Sequence, residues 1–157
     1  MKRRSLQDND CPIARSLDTI GDWWSLLIVR DALIGKRRFS DFQKSLGLAK
    51  NILAARLRKL VADGVLELAP ASDGSAYQEY VLTDKGRDLM IVLVALRQWG
   101  EHHLFPPGEC DNILVDIDRG EKVAPLRVLA KDGRALTPSD VRVSTRSDAS
   151  RGRRTRS

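Results

Sequence analysis

The succession of elements between residues 37 and 86 constrains the fold of this chain more than any other feature. A short helix capped by Ser40 is expected to lead, through a turn at Gly47, into a longer basic helix that Gly64 ends. Two β-rich segments around a turn-forming tip follow, and Thr83 can cap a long further helix. The predicted segments are residues 41–46, 50–63, 65–68, 77–82 and the helix after Thr83. This order predicts a helix-turn-helix with a β-wing, a module that places one helix in the DNA major groove.

Two helices are predicted ahead of this module. Pro12 fits the first turn of a helix, where its missing N–H needs no partner, and Gly21 can end that helix. Asp22 can cap the next helix, which Gly35 stops. Apolar residues recur at helical spacing in both segments: Ile13, Leu17 and Ile20, then Trp24, Leu27, Ile28 and Leu33. We therefore expect a mainly α fold with a small β-wing (a winged helix-turn-helix).

The pattern changes after residue 105. Residues 113–117 and 123–129 are strand-like, and Asp132-Gly133 favours a turn. We predict a flexible N-terminus at residues 1–10, a DNA-binding and dimerisation domain at 11–105, a short β-rich C-terminal appendix at 106–145 and a disordered basic tail at 146–157. Because so short an appendix buries little apolar surface by itself, we expect it to dock onto the helical body or a partner subunit.

Composition restricts the classes of partner. The 157 residues carry a formal net charge of +6, and the pI near 9.7 favours a polyanionic partner. We find no N-terminal signal segment and no apolar run of the roughly 18 residues that a membrane span needs. We expect no membrane partner and a cytoplasmic, nucleoid-associated location.

Enzyme chemistry is not indicated. No nucleophile, base and orienting group occur together, and the sequence has no Gly-rich phosphate loop. A structural zinc site needs four closely spaced ligands, whereas Cys11 and Cys110 stand far apart and His102-His103 is an isolated pair. We expect no catalytic residue, no cofactor and no metal.

The predicted basic helix, residues 50–63, has two different faces. Leu53, Leu57 and Leu60 point the same way at helical spacing and would hold the helix on the domain. The opposite side combines small residues, which permit close approach to a groove, with Asn and Arg, which can pair with adenine and guanine edges. On this helix alone an ordinary solvated face is the favoured interpretation, and the surrounding order of elements reverses that. The predicted DNA contacts are Lys50, Asn51, Ala54, Ala55, Arg58 and Lys59.

A second DNA contact is predicted at the start of the short helix. Arg37, Arg38 and Ser40 precede and begin that helix, whose free N–H groups and positive dipole end would form a phosphate seat. A solvated turn is the alternative. The wing tip carries one charged residue, Asp73, so insertion of an arginine into the minor groove is not expected there.

Several separated motifs resemble those of HxlR-type transcriptional regulators, in the same order, from Cys11 to about Phe105. The resemblance implies a bacterial, MarR-like winged-helix regulator that acts as a homodimer on double-stranded DNA with a palindromic operator. We expect a repressor, with a small-molecule effector left open. The matching motifs are Cys11-Pro12-Ile13-Ala14, Leu17-Asp18-Thr19-Ile20-Gly21, Trp24-Ser25-Leu26-Leu27-Ile28-Val29-Arg30, Gly35-Lys36-Arg37-Arg38-Phe39-Ser40-Asp41-Phe42, Leu53-Ala54-Ala55-Arg56-Leu57-Arg58-Lys59-Leu60, Asp63-Gly64-Val65-Leu66 and Tyr80-Val81-Leu82-Thr83-Asp84-Lys85-Gly86.

The resemblance also implies which residues meet at the dimer interface and where this chain departs from the pattern. In the family the first and last helices form that interface. Ala49 stands where the family usually has a capping Ser, the wing lacks the usual basic residue, and the appendix lacks the paired cysteines of some relatives. The expected interface residues are Ile13, Leu17, Leu89, Leu93, Leu96 and Trp99.

Cys11 is a candidate redox sensor. It lies just before a predicted helix N-terminus, where the positive dipole end favours the thiolate, and some family members sense oxidants through the matching cysteine. A small hydrophobic residue packed in the dimer interface is the alternative. For the whole chain, the alternative function is a non-sequence-specific nucleic-acid-binding or protein-interaction module, whose DNA affinity would fall steeply with salt and ignore sequence.

Overall fold

The computed structural model describes residues 5–144, so the predicted basic tail at 146–157 and the first four residues lie outside the described part. The chain divides into two compact units, Met1–Leu104 and Phe105–Ser157. The first unit contains every α-helix and the β-sheet of the described residues. Its elements are α1 (Pro12–Ile20), α2 (Trp23–Leu33), α3 (Phe39–Leu46), α4 (Lys50–Ala62), β1 (Leu66–Pro70), β2 (Gln78–Leu82), α5 (Asp84–Arg87) and α6 (Met90–His103).

The α1–α2 corner forms as the sequence predicts. Gly21 follows α1, and a Cβ atom at this position would come within 2.2 Å of the Leu17 carbonyl oxygen, so a larger residue does not fit. Asp22 caps α2 by accepting a hydrogen bond from the backbone N–H of Ser25 at 3.0 Å. The predictions for Pro12 and Asp22 are confirmed.

The helix-turn-helix differs from its prediction at one cap. Ser40 was expected at the N-cap of α3, which was wrong, because the Arg38 carbonyl already accepts from the N–H groups of Asp41 and Phe42. Arg38 is therefore the N-cap, without a side-chain cap bond, and Ser40 is exposed in the first turn. The turn prediction at Gly47 is confirmed: its φ of 64° lies in the left-handed region that glycine favours.

The wing is a two-stranded antiparallel sheet. Its register pairs Leu66 with Leu82 and Pro70 with Gln78, so both strands start one residue later than predicted. The backbone N–H of Tyr80 in β2 also donates to the carbonyl of Arg37 at 2.8 Å. The wing is thus hydrogen-bonded to the segment that enters α3.

The helix predicted after Thr83 forms as two pieces, so its continuity was wrong. Thr83 caps α5, accepting from the N–H of Gly86 at 3.1 Å. Gly86 packs so closely on the Val65 carbonyl that a Cβ atom would lie 2.2 Å from it. The first turn is thereby fixed against the start of the wing, and glycine also has a low helix propensity. A fresh helix, α6, starts at Met90.

The core of the first unit lies between α2, α3, α4 and the wing. Ile28, Phe42, Leu53, Leu57 and Leu60 are fully buried, and Phe42 meets Tyr80 edge-on with ring centroids 6.4 Å apart. Aromatic and leucine side chains of this size stabilise a small domain mainly by removing apolar surface from water. The core therefore fixes α4 against the rest of the unit through one face only. Across the described part of the chain, no helix has the length and apolar character required to traverse a bilayer.

The second unit corrects the strand predictions for residues 113–117 and 123–129. Its described part, residues 105–144, contains two isolated bridges, Val115 with Lys122 and Leu129 with Ala135, in place of regular strands. Apolar side chains such as Ile117, 98% exposed, find no buried face here, so the alternating pattern does not extend into a sheet. The turn at Asp132-Gly133 is confirmed, and a short 3-10 helix spans Pro138–Asp140.

Candidate nucleic-acid interface

Helix α4 presents the face that the sequence predicts. Leu53, Leu57 and Leu60 are fully buried, as expected for the inward direction. The opposite side is exposed at five positions, which we call the α4 outer face: Lys50, Asn51, Ala55, Arg58 and Ala62. Ala54 and Lys59, also predicted to contact DNA, are half-buried. An exposed basic face with alanines at its centre leaves room for a nucleic-acid groove to approach the backbone.

The cations of α4 differ in their partners. Within residues 5–144, neither Lys50 nor Arg58 forms an ion pair. Lys59 pairs with Asp63 one turn on, and Arg56 lies 3.4 Å from the Asp22 carboxylate at the start of α2. Arg58 is therefore available to an external acceptor, whereas Arg56 fastens α4 to α2.

The N-terminus of α4 lacks a side-chain cap. Ala49 is its N-cap residue, as the sequence indicated, and makes no side-chain cap hydrogen bond. The backbone N–H groups of the first turn have no acceptor within the helix. They lie beside Lys50 and Asn51, so the α4 outer face begins at a partly positive helix end.

The predicted phosphate seat contains an ion-pair network, which we call the Arg38 network: Arg37, Arg38, Asp73 and Glu79. The Nη2 atom of Arg38 donates to Oδ2 of Asp73 at the wing tip. The Nε atom of Arg38 and Nη1 of Arg37 lie 3.8 and 3.7 Å from the two oxygens of the Glu79 carboxylate. Only about 5% of the Glu79 side chain is exposed, and Ser72 Oγ donates to it at 3.1 Å. Arg38 and Ser40 lie at the start of α3 as predicted, but Arg37 and Arg38 already pair with carboxylates.

The contact between Arg38 and Asp73 shifts the pKa of both side chains. Ser75, which donates its backbone N–H to Oδ1 of Asp73 at 3.0 Å, and the Arg38 guanidinium lower the pKa of Asp73 to about 2. The Asp73 carboxylate in turn raises the pKa of Arg38 above its ordinary value. Asp73 is thus an anion throughout the neutral pH range.

Sequence reasoning missed Glu79 and assigned Asp73 no partner. Asp73 lies 35 residues from Arg38, and the contact depends on the strand register that brings the tip back to α3. One signal was present: Glu79 is the one charged residue of the predicted strand 77–82 and directly precedes Tyr80. A charged residue in such a place is paired more often than not when it is buried.

Apolar side chains lie exposed on α1 and α6. Ile13 is 70% and Trp99 57% exposed, and Leu17 and Leu96 are exposed as well. The other two expected interface residues, Leu89 and Leu93, are partly buried against the core of their own unit. Four of the six predicted interface residues are therefore exposed on the surface of this unit.

Cys11 is the N-cap residue of α1 and is exposed. The Nε atom of Arg15, one turn on, donates to the Asn9 carbonyl. Cys110 lies in the second unit and is half-buried. Within the described residues no three His, Cys, Asp or Glu side chains are grouped as metal ligands.

Comparison with known proteins agrees with this architecture. The family model of the HxlR-like helix-turn-helix matches residues 19–107, more than half of the chain. The chain belongs to the HxlR-like helix-turn-helix family. It is thus a winged helix-turn-helix transcriptional regulator, for which DNA binding is implied. Cys11 lies outside the matched range.

Individual relatives extend the match. The uncharacterised HTH-type transcriptional regulator Rv3095 of Mycobacterium tuberculosis is 36% identical over 129 residues, 82% of each chain. The crystal structure of PA1607, a candidate transcription factor, is 58% identical with a TM-score of 0.85, over 90% of this chain and 99% of that one. The redox regulator HypR in its oxidised form is 31% identical with a TM-score of 0.54, over 59% of this chain and 97% of that one.

Proposed function

We propose that this HxlR-like protein is a homodimeric repressor that reads a palindromic operator with the outer face of α4. The observation that carries the proposal is the exposed Arg58, unpaired within the described residues, on a helix whose other side is fully buried. A rigidly held helix with a free guanidinium can place its donors on a guanine edge. Asn51, on the same face, can do so on adenine.

The test is a footprint on the intergenic DNA that flanks the protein's own gene. We expect protection of two half-sites whose centres lie about 34–36 Å apart, because each recognition helix of a twofold dimer enters one major groove. Equal affinity for the footprinted duplex and a scrambled duplex, lost with rising salt, would instead support the non-sequence-specific module.

Dimerisation is supported by the exposed apolar side chains of α1 and α6. Replacing Leu96 with Asp should give a folded monomer by light scattering, because interface centres are depleted of charge. Leu68→Asp is the matched control: Leu68, in β1, is exposed to a similar extent, 46% against 49%, and should leave the dimer intact. A wild-type monomer at micromolar concentration would refute dimerisation.

A redox signal at Cys11 is the finer part of the proposal. Its support is the exposed thiol at the start of α1, beside exposed Ile13, together with the likeness to a redox regulator, HypR. Cys11→Ser should keep its operator affinity and lose its response to diamide, while Cys110→Ser responds like wild type. Operator binding that survives with Cys11 shown to be modified by mass spectrometry would make the thiol a packing residue.

A further inference from the structure

The wing contacts the start of α3 through two carboxylates of different accessibility. Glu79 is almost fully buried, and the Tyr80 N–H to Arg37 carbonyl bond fixes its strand beside the arginines. Asp73 lies at the tip with 51% of its side chain exposed, and the Arg38 side chain that it contacts is 39% exposed. DNA can therefore reach the Arg38–Asp73 contact but not the carboxylate of Glu79.

A carboxylate and a phosphate use the same donors of a guanidinium. Both accept charge-assisted hydrogen bonds from the planar fork of N–H groups, so they compete for one arginine. In this chain the Nη2 atom of Arg38 is already donating to Asp73. A phosphate that approaches this edge of the guanidinium meets the Asp73 carboxylate, which takes one of the N–H donors and repels the phosphate charge, while Glu79 stays near the Nε atom of Arg38.

We propose that Asp73 is an internal competitor of DNA phosphate, which lowers the affinity of the protein for DNA by occupying Arg38. The proposal rests on the proposed function, because it requires Arg38 to contact the DNA backbone. Phosphate contacts carry no direct sequence information, so the competition weakens binding to cognate and random DNA by the same factor. Asp73 thereby sets how much protein is held on random DNA at a given salt concentration.

The experiment compares Asp73→Asn with Glu67→Gln in the full chain, by fluorescence anisotropy on footprinted and scrambled duplexes at fixed salt. Asn keeps an oxygen that can accept from the Ser75 N–H, a bond of 3.0 Å in the wild type, so the tip turn is retained. Glu67 is an exposed carboxylate of β1 with no ion pair in the described residues, so its variant removes the same charge from the same wing.

We expect Asp73→Asn to bind both duplexes about two- to fivefold more tightly, the range for releasing one exposed ion pair, with Glu67→Gln gaining less. In the Arg38→Ala background the gain from Asp73→Asn should fall to that of the Glu67→Gln control, since the two residues then no longer interact. Thermal unfolding of each variant should stay close to that of the wild type; if Asp73→Asn is less stable, Asp73→Ser replaces it.

Three outcomes would overturn the proposal, and they are distinguishable. An Asp73→Asn protein that binds no more tightly than Glu67→Gln removes the competition but leaves the DNA-binding function standing. An Arg38→Ala protein with unchanged affinity and salt dependence shows that Arg38 does not meet the backbone, which removes both the competition and that contact. A wild-type protein that binds no duplex removes the proposed function itself.

Discussion

The two arginine-bearing surfaces of the helix-turn-helix differ in what their arginines already contact. On the α4 outer face, Arg58 has no ion pair within the described residues, whereas Arg37 and Arg38 at the start of α3 face Glu79 and Asp73. An unpaired guanidinium can bind a new acceptor without breaking an existing ion pair, so it suits base recognition. A paired one is held in place and must exchange partners, so it suits a contact that is the same on every sequence.

The largest effect is expected from the buried side of α4, on which the α4 outer face depends. Leu57→Ala should lower the free energy of unfolding by about 2–5 kcal/mol, because it leaves a cavity in a fully buried site. Chemical denaturation measures this. Ala55→Ser, on the exposed side of the same helix, is the control and should be nearly neutral. A loss below about 1 kcal/mol in Leu57→Ala would mean that α4 is not fixed by its leucines.

Features that depend on neighbouring residues were predictable from the sequence, whereas contacts between distant residues were not. The faces of α4 were predictable because helical spacing alone separates Leu53, Leu57 and Leu60 from Arg58. The Arg38–Asp73 contact was not, because it needs the register of two strands and a turn between them. The packing of Gly86 on the Val65 carbonyl, just before the break between α5 and α6, was not predictable either, because it is a tertiary contact.

In the second unit the sequence predicted regular strands that do not form. Its β-rich composition predicted strands, but residues 105–144 form isolated bridges and turns with most apolar side chains exposed. Strand propensity reports how well a side chain fits a half-buried sheet surface, and here no such surface forms within the described part of the unit. Its role in the regulator stays a prediction: docking onto the helical body or a partner subunit.

The second prediction concerns Glu79, the buried carboxylate of the Arg38 network. Glu79→Gln should lower the free energy of unfolding by about 1–3 kcal/mol, because it removes the charge that two arginines and Ser72 contact in a buried place. Asp73→Asn, whose carboxylate is half exposed at the tip, should lose clearly less in the same denaturation experiment. Equal losses in the two variants would erase the distinction between a structural and an exchangeable carboxylate.

The third prediction contrasts the two surfaces directly. Arg58→Ala should cost about 1–3 kcal/mol of binding on the cognate site and little on random DNA, because a base-edge contact exists only on the correct sequence. Arg38→Ala should weaken binding to both and reduce the salt slope by roughly one unit, the signature of one lost phosphate contact. Titrations at several salt concentrations measure both. The same loss on specific and random DNA for both variants would abolish the division of roles.

The smallest effect concerns the pH dependence of the Asp73 contact. The pKa of Asp73 is lowered from 3.8 to about 2 in the folded chain, with Ser75 as the first cause and Arg38 as a further one. Because the pKa is lowered, the contact stabilises the folded chain fully above pH 3.8. This stabilisation is lost as the pH falls through about 2. The tighter binding of Asp73→Asn should therefore be constant between about pH 5 and pH 8.

A carboxyl-carbon NMR titration should place the Asp73 midpoint near 2 in wild type. In Arg38→Ala it should rise but remain below 3.8, because Ser75 still donates. A wild-type midpoint at or above 3.8 would show that Asp73 is not held by these partners.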